Sequence, residues 1–126
     1  TRWSDCNKGV TIRFELGGDY MQSYHNLLPP MLEDGIKVLI YAGDQDFICN
    51  WLGNRAWTQV LSWEHTDEFA AAPVGNWTAA GAPAGELQES NGFAFLRVYE
   101  AGHMVPRDQP AVALDMINSF VDGSLF

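Results

Sequence analysis

The chain has 126 residues, of which 47% are apolar, so it is long enough to bury the core of one domain. Its formal net charge is −9, which argues against a nucleic-acid partner and against electrostatic attraction to an anionic membrane surface. No apolar run approaches the roughly 20 residues that a membrane span requires, and the N-terminus lacks the apolar segment of a signal peptide.

The first third of the chain carries patterns for short elements. Residues 10–15 predict an extended segment, and the glycine pair after it predicts a turn. From Asp19 onward, apolar side chains recur at helical spacing and predict a helix. Pro29 and Pro30 interrupt that spacing, so we expect the helix to end near residue 27 or 28, with room for one more turn after it.

A continuous apolar run marks the next strand. Residues 36–42 are apolar except for Lys37 and do not alternate, which indicates a strand buried on both faces of a parallel sheet. Residues 43–49 are then expected to form the loop at the carboxyl end of that strand. Asn50 is a good N-cap and predicts a helix over residues 51–63.

The last third contains a hairpin and a helix. Residues 65–84 are rich in Ala, Gly and Pro and predict an irregular segment. Asn91 and Gly92 predict a hairpin turn because both tolerate positive φ, and the following arm has two largely apolar faces that predict burial. Pro110 suits a first helical turn. An amphipathic helix is predicted there, its apolar stripe formed by Ala113, Met116, Ile117, Phe120 and Val121.

The order of predicted elements is helix, strand, helix, hairpin, helix, which is typical of the end of an α/β sheet. Only one or two strands have the pattern of central strands. Because a doubly wound domain needs more strands than these, the sequence predicts an incomplete fold.

Two junctions between a strand and a helix carry polar residues that could work together. Asp46 follows the first strand and His103 follows the hairpin. Sites in open α/β sheets form at the carboxyl ends of strands, where an Asp could orient one ring nitrogen of a His and the other nitrogen could act as general base. The order Asp then His suits the Ser…Asp…His order of α/β-hydrolases. The alternative is that both residues are structural, with Asp46 in a turn or at a helix cap and His103 in a loop. The neighbouring Asp44 competes with Asp46, but it lies nearer the strand and is expected to bond loop amides instead of reaching outward.

No nucleophile accompanies this pair. The Gly-x-Ser-x-Gly pattern is absent, and no serine has flanking glycines in a strand context. Cys49 shares a loop with Asp46 and lacks a sharp strand-to-helix turn, so we do not expect it to attack a substrate. The histidines and cysteines show no short metal-ligand spacing, so neither a metal site nor a cofactor is expected.

Two further features leave alternatives open. Cys6 and Cys49 could pair with each other, pair outside the chain, or stay free. Asn76 begins an Asn-Trp-Thr triplet, an N-glycosylation acceptor pattern that is weak evidence for a secretory route.

Two blocks of the sequence resemble a known family. VLIYAGDQDFICNWLGNRAW and RVYEAGHMVPRDQPAVALDMINSF are similar to the aspartate and histidine blocks of the serine carboxypeptidase family, close to its vacuolar carboxypeptidase Y group. The resemblance runs over essentially all 126 residues, but it covers only the C-terminal third or so of such an enzyme. It implies that residues 1–126 are the C-terminal part of a single α/β-hydrolase domain, a mostly parallel sheet with flanking helices that is incomplete without an N-terminal partner segment.

The resemblance also implies roles for individual residues. Asp46 and His103 match the catalytic acid and base. Cys49 matches a thiol near the substrate's side-chain pocket, and Met104 matches a residue that lines the pocket for the departing amino acid. Two further matches lie away from the catalytic blocks: a cysteine bridged to the missing N-terminal part, Cys6, and a glycosylated asparagine, Asn76.

The implied function is a serine-type carboxypeptidase that releases C-terminal amino acids from peptides. This chain would supply two members of a Ser-Asp-His triad, and it would be active only with the part that carries the serine. The implied partner is an N-terminal chain or segment, disulfide-linked, and the implied location is vacuolar, lysosomal or secreted. Two alternatives stay open: an acyltransferase of the same fold family, and a noncatalytic fragment or binding subunit.

Overall fold

The structure is a computed structural model that describes residue 3 and residues 5–126. The helices are α1 (Lys8–Leu16), α2 (Leu28–Glu33), α3 (Trp51–Thr58), α4 (Thr66–Ala71), α5 (Val105–Asp108) and α6 (Pro110–Asp122). The strands are β1 (Val38–Gly43), β2 (Gly75–Ala79), β3 (Ala82–Ser90) and β4 (Phe93–Val98). None of the helices in the described ranges has both the length and the apolar character needed to cross a membrane.

The four strands form one sheet in the order β1-β4-β3-β2. β1 pairs with β4 in parallel, whereas β2 with β3 and β3 with β4 are antiparallel. The α/β class is confirmed, but the described sheet is mixed and not mostly parallel as predicted. The reason is that two-residue turns join β2 to β3 and β3 to β4, and such turns connect only antiparallel neighbours. The Asn91-Gly92 hairpin is confirmed, with φ values of 51° and 81°.

β4 lies between β1 and β3 and carries the core on both of its faces. Phe93 and Phe95 pack on one face with a cluster that includes Phe69, and Leu96 and Val98 pack on the other with residues that include Met116 of α6. Each fully buried side chain of this kind contributes roughly 1.5–3 kcal/mol. The predicted burial of this arm of the hairpin is therefore confirmed.

The N-terminal region departs from the sequence predictions. Residues 10–15 lie in α1 and are not extended, because the Asn7 side chain caps that helix by accepting from the Gly9 and Val10 amides. The predicted helix from Asp19 is replaced by two 3-10 turns, Asp19–Met21 and His25–Leu27. α2 then begins at Leu28, and its prolines occupy the first turn, where a missing amide proton costs nothing.

Two other predictions need correction. Residues 65–84 are not irregular, because they contain α4 and β2, and the fully buried Phe69 anchors α4 to the sheet. α3 begins after Asn50 as predicted, but it ends at Thr58 rather than near residue 63. The last helix begins at Pro110 as predicted, and part of its apolar stripe, including Val121, is exposed.

Candidate active site

The fold places Asp46 and His103 side by side. β1 and β4 are adjacent and parallel, so the loops after them lie at the same edge of the sheet. Asp46 Oδ2 and His103 Nδ1 are 2.8 Å apart, which is a hydrogen bond between residues separated by 57 positions. The convergence expected from the sequence is present in the structure.

The Asp46 carboxylate is held from two sides. Its second oxygen, Oδ1, accepts from the backbone amides of Ile48 at 3.0 Å and Cys49 at 3.1 Å. The hydrogen bond with His103 is the main cause that lowers the pKa of Asp46 below its ordinary value, and the amides of Cys49 and Ile48 act in the same direction against burial. Burial of the side chain, which is 8% exposed, disfavours the charged form, but these donors outweigh it, so Asp46 is ionised near neutral pH.

His103 projects from its loop toward solvent. Its side chain is 68% exposed, so the ring is accessible while Nδ1 is engaged by Asp46. The residue before it, Gly102, is held in place because its amide donates to Asp108 Oδ2 at 2.8 Å. An Asp partner on Nδ1 orients the imidazole and stabilises its protonated form, and it leaves Nε2 as the base.

The two loops lie in close contact at Gly43. A Cβ atom built on Gly43 would overlap the carbonyl oxygen of Ala101 and would lie 2.5 Å from that of Gly102. A glycine is therefore required where the end of β1 passes the loop that carries His103.

The other predicted site residues differ in their placement. Cys49 is a free, exposed thiol that lines a cleft of about 200 Å³ together with Asp46 and His103. Met104 follows His103 and is 57% exposed, but it does not line that cleft. Away from the pair, Cys6 lies exposed ahead of α1. Asn76 is exposed on β2, at the opposite edge of the sheet from β1.

Asp46, Cys49 and His103 also form a group of possible metal ligands. One atom from each residue lies within 4.8 Å of the others. A metal ion that took His103 Nδ1 and Asp46 Oδ2 would compete with the hydrogen bond that these atoms share. No short metal-ligand spacing in the sequence marks this group, because Asp46 and Cys49 meet His103 only in the folded chain.

Two residues near the site were not assigned to it from the sequence. Asp108 accepts the amide proton of Gly102, the residue before His103. Arg97 of β4 contacts Asp44, which lies in the same loop as Asp46. A single arginine inside an otherwise apolar, buried strand was the available signal, because charged residues are rarely buried without a partner.

The fold and the site together define an α/β protein with an Asp–His pair at the carboxyl ends of two adjacent parallel strands. A model of the serine carboxypeptidase family matches residues 1–123. The chain therefore belongs to the serine carboxypeptidase family.

Individual relatives agree with this assignment. The chain is 48% identical to carboxypeptidase Y from Komagataella phaffii over 121 residues, which are 96% of this chain and 23% of that protein. It is 46% identical to carboxypeptidase Y from Saccharomyces cerevisiae over 123 residues, again 96% of this chain and 23% of that protein. The chain thus spans about a quarter of the length of these curated relatives.

A solved structure shows the same fold. The structure of Kex1(delta)p, a prohormone-processing carboxypeptidase from Saccharomyces cerevisiae, superposes with a TM-score of 0.71 at 28% sequence identity. The superposition covers 79% of this chain and 22% of that chain.

Proposed function

We propose that this chain carries the acid and base of a serine carboxypeptidase that releases C-terminal amino acids from peptides. The observation that carries the proposal is the 2.8 Å hydrogen bond between Asp46 and His103 in a chain of the serine carboxypeptidase family. The named relatives are carboxypeptidases, which supports peptide hydrolysis as the reaction of the whole protein.

The geometry supports a specific order of proton transfers. His103 Nε2 takes the proton of a serine hydroxyl as the oxygen attacks the scissile carbonyl, and Asp46 stabilises the resulting imidazolium. His103 then protonates the departing amino group, which releases the C-terminal residue and leaves an acyl-enzyme. In the second half of the reaction His103 activates water, which hydrolyses the ester.

The serine is proposed to come from another segment or chain. The serines of this chain, Ser4, Ser23, Ser62, Ser90, Ser119 and Ser124, lack the flanking glycines of a nucleophile elbow. β1 lies at one end of the described sheet, so its outer edge is available to pair with a further strand. Phe47 and Ile48 beside the Asp–His pair are 92% and 84% exposed, which supports a covering segment, since large apolar side chains are seldom left in water together.

The remaining roles are proposed from the family resemblance. Cys49 lines the cleft next to Asp46 and His103 and would contact the substrate's side chain. Met104 would contact the departing amino acid. Cys6 would form the disulfide to the segment that carries the serine, and its exposed position ahead of α1 makes it accessible to such a partner. No cofactor is required for this chemistry.

We also propose a vacuolar, lysosomal or secreted location. Asn76 lies exposed in an N-glycosylation pattern, so sugar could be attached there along the secretory route. The partner segment and residues 1–126 would together form one α/β-hydrolase domain.

The test starts from the native protein that contains this chain. A fluorophosphonate labels only serines that a base has activated, so the labelled peptide should map outside residues 1–126 and labelling should fail after His103→Ala. The same protein should release free C-terminal amino acid from an N-blocked dipeptide. A label on a serine of this chain would contradict the proposal. Turnover of an acyl glucose without dipeptide hydrolysis would favour the acyltransferase, and no reaction with any of the three reagents would favour a noncatalytic subunit.

A further inference from the structure

Arg97 is a charged residue in the central strand of the sheet. It lies opposite Ala42 of β1 and opposite Glu86 of β3. Its Nη1 atom lies 3.3 Å from Glu86 Oε2, and its Nη2 atom lies 3.3 Å from Asp44 Oδ2. The side chain is only 25% exposed, so most of the guanidinium lies against protein. A cation at this position therefore depends on its carboxylate partners.

Aromatic rings complete the surroundings of Arg97. The guanidinium carbon lies 4.1 Å from the centre of the Trp51 ring and 5.2 Å from that of Tyr99. Trp51 is the first residue of α3, directly after the loop that holds Asp46, and Tyr99 is the first residue after β4. One side chain thus contacts both polypeptide segments that lead to the catalytic pair.

Asp44 joins the two loops directly. Besides its contact with Arg97, its Oδ1 atom accepts from the backbone amide of Glu100 at 2.9 Å. Glu100 has a φ of 54°, a conformation that is uncommon for a residue with a side chain, and it precedes His103 by three positions. Asp44 precedes Asp46 by two positions, at the start of the loop that carries Asp46. Its carboxylate therefore holds the His103 loop against the Asp46 loop.

Backbone hydrogen bonds form a second junction between the Asp46 loop and the His103 loop. The Asp44 amide donates to Val98 O, and the Gln45 amide donates to Ala101 O, both at 2.9 Å. The parallel pairing of β1 with β4 therefore extends beyond the strand ends into both loops. The relative position of Asp46 and His103 is set by this junction, because each lies within two residues of one of its hydrogen bonds.

We infer that Asp44 and Arg97 are positioning residues that hold the two loops in the register at which Asp46 meets His103. This inference rests on the proposed function for its catalytic consequence, but the geometry it describes can be measured separately. Neither residue touches the reacting atoms. The guanidinium is suited to the role because its planar fork reaches two carboxylates at once and stacks on an aromatic face, which a lysine ammonium cannot do.

The test compares Asp44→Ala with a matched control in the native protein that contains this chain. Asp115 Oδ2 accepts from the amide of Ala80 at 2.5 Å, and Ala80 has a φ of 51°. Asp115→Ala therefore also removes a carboxylate that binds the amide of a positive-φ residue, but at the turn between β2 and β3, away from the catalytic pair. The readouts are kcat and KM for an N-blocked dipeptide and the low-field proton resonance of His103 Nδ1–H.

Asp44→Ala should lower kcat about a hundredfold with little change in KM and should remove or shift the His103 resonance, since small misplacements of catalytic groups cost rates of that order. Asp44→Asn should lose less, because its amide oxygen can still accept from Glu100, and Arg97→Lys should also lower kcat. Asp115→Ala should leave kcat and the resonance as in the wild type. Wild-type kcat and resonance in Asp44→Ala would overturn the inference.

Two further outcomes are decisive. If Asp44→Ala does not accumulate as folded protein, Asp44→Asn and Arg97→Lys take its place, and wild-type kcat and resonance in both would overturn the inference. If the wild type hydrolyses no peptide, the proposed function fails. The His103 Nδ1–H resonance can still be compared between Asp44→Ala and Asp115→Ala, and this comparison decides whether Asp44 positions His103.

Discussion

Gly43→Ala should separate the loops that carry Asp46 and His103. The added Cβ would overlap Ala101 O and would lie 2.5 Å from Gly102 O, whereas ordinary contacts begin at 3.4 Å. The loop that carries His103 would therefore have to recede by roughly 1 Å, and overlap of this kind costs about 1–3 kcal/mol of folding stability. Because the Asp46–His103 hydrogen bond is 2.8 Å long, a 1 Å displacement would break it. We expect kcat to fall about a hundredfold.

A second glycine provides the control for this experiment. A Cβ atom on Gly75, at the start of β2, meets nothing within 4 Å among the described residues, so Gly75→Ala should leave stability within about 0.5 kcal/mol and leave kcat unchanged. The measurements are kcat and KM for an N-blocked dipeptide and urea unfolding of each variant. Wild-type kcat in Gly43→Ala would refute the prediction, because the close approach of the loops would then not control the Asp46–His103 pair.

Four other changes test separate parts of the structure. Asp46→Asn should lower kcat about ten-thousandfold at unchanged secondary structure, measured by dipeptide turnover and circular dichroism, because the amide favours the wrong tautomer of His103. The pKa of folded Asp46 is lowered from 3.8, so its ionised form stabilises the fold above about pH 4 and that stability is lost as pH falls through the lowered pKa. The stability gap between wild type and Asp46→Asn should therefore shrink in acid, and a constant gap in urea unfolding would contradict this. Asn50→Ala should cost about 1 kcal/mol in urea unfolding, because the Asn50 side chain accepts from the Gly53 amide at 2.8 Å. If the serine lies on a separate chain that is disulfide-linked through Cys6, reduction should divide the native protein into two lighter species by intact mass, and Cys6→Ser should remove the heavier species without reduction. Peptide N-glycosidase should reduce the mass of the native chain, and Asn76→Gln should abolish that reduction.

Local patterns were sufficient to predict β1, the hairpin and the start of the last helix. The signals for these elements lie within a few residues: an apolar run, an Asn-Gly pair and a proline at a first helical turn. The same reasoning was wrong for residues 65–84, because their many Ala, Gly and Pro residues predict an irregular segment although α4 and β2 lie there. Phe69 becomes an anchor only when the ring of Phe93 lies 4.6 Å away, and that contact is invisible to local patterns.

The Asp46–His103 pair illustrates the same division. The sequence alone predicted that an aspartate and a histidine each follow a strand, and the motifs around them pointed to the serine carboxypeptidase family. Only the tertiary structure decided that β4 lies beside β1 in parallel, which brings Asp46 within 2.8 Å of His103. It also decided that Arg97 meets Asp44 across 53 positions of sequence. The physical reason is that strand order depends on which apolar faces are buried together, and this packing joins residues whose separation along the chain carries no local signal.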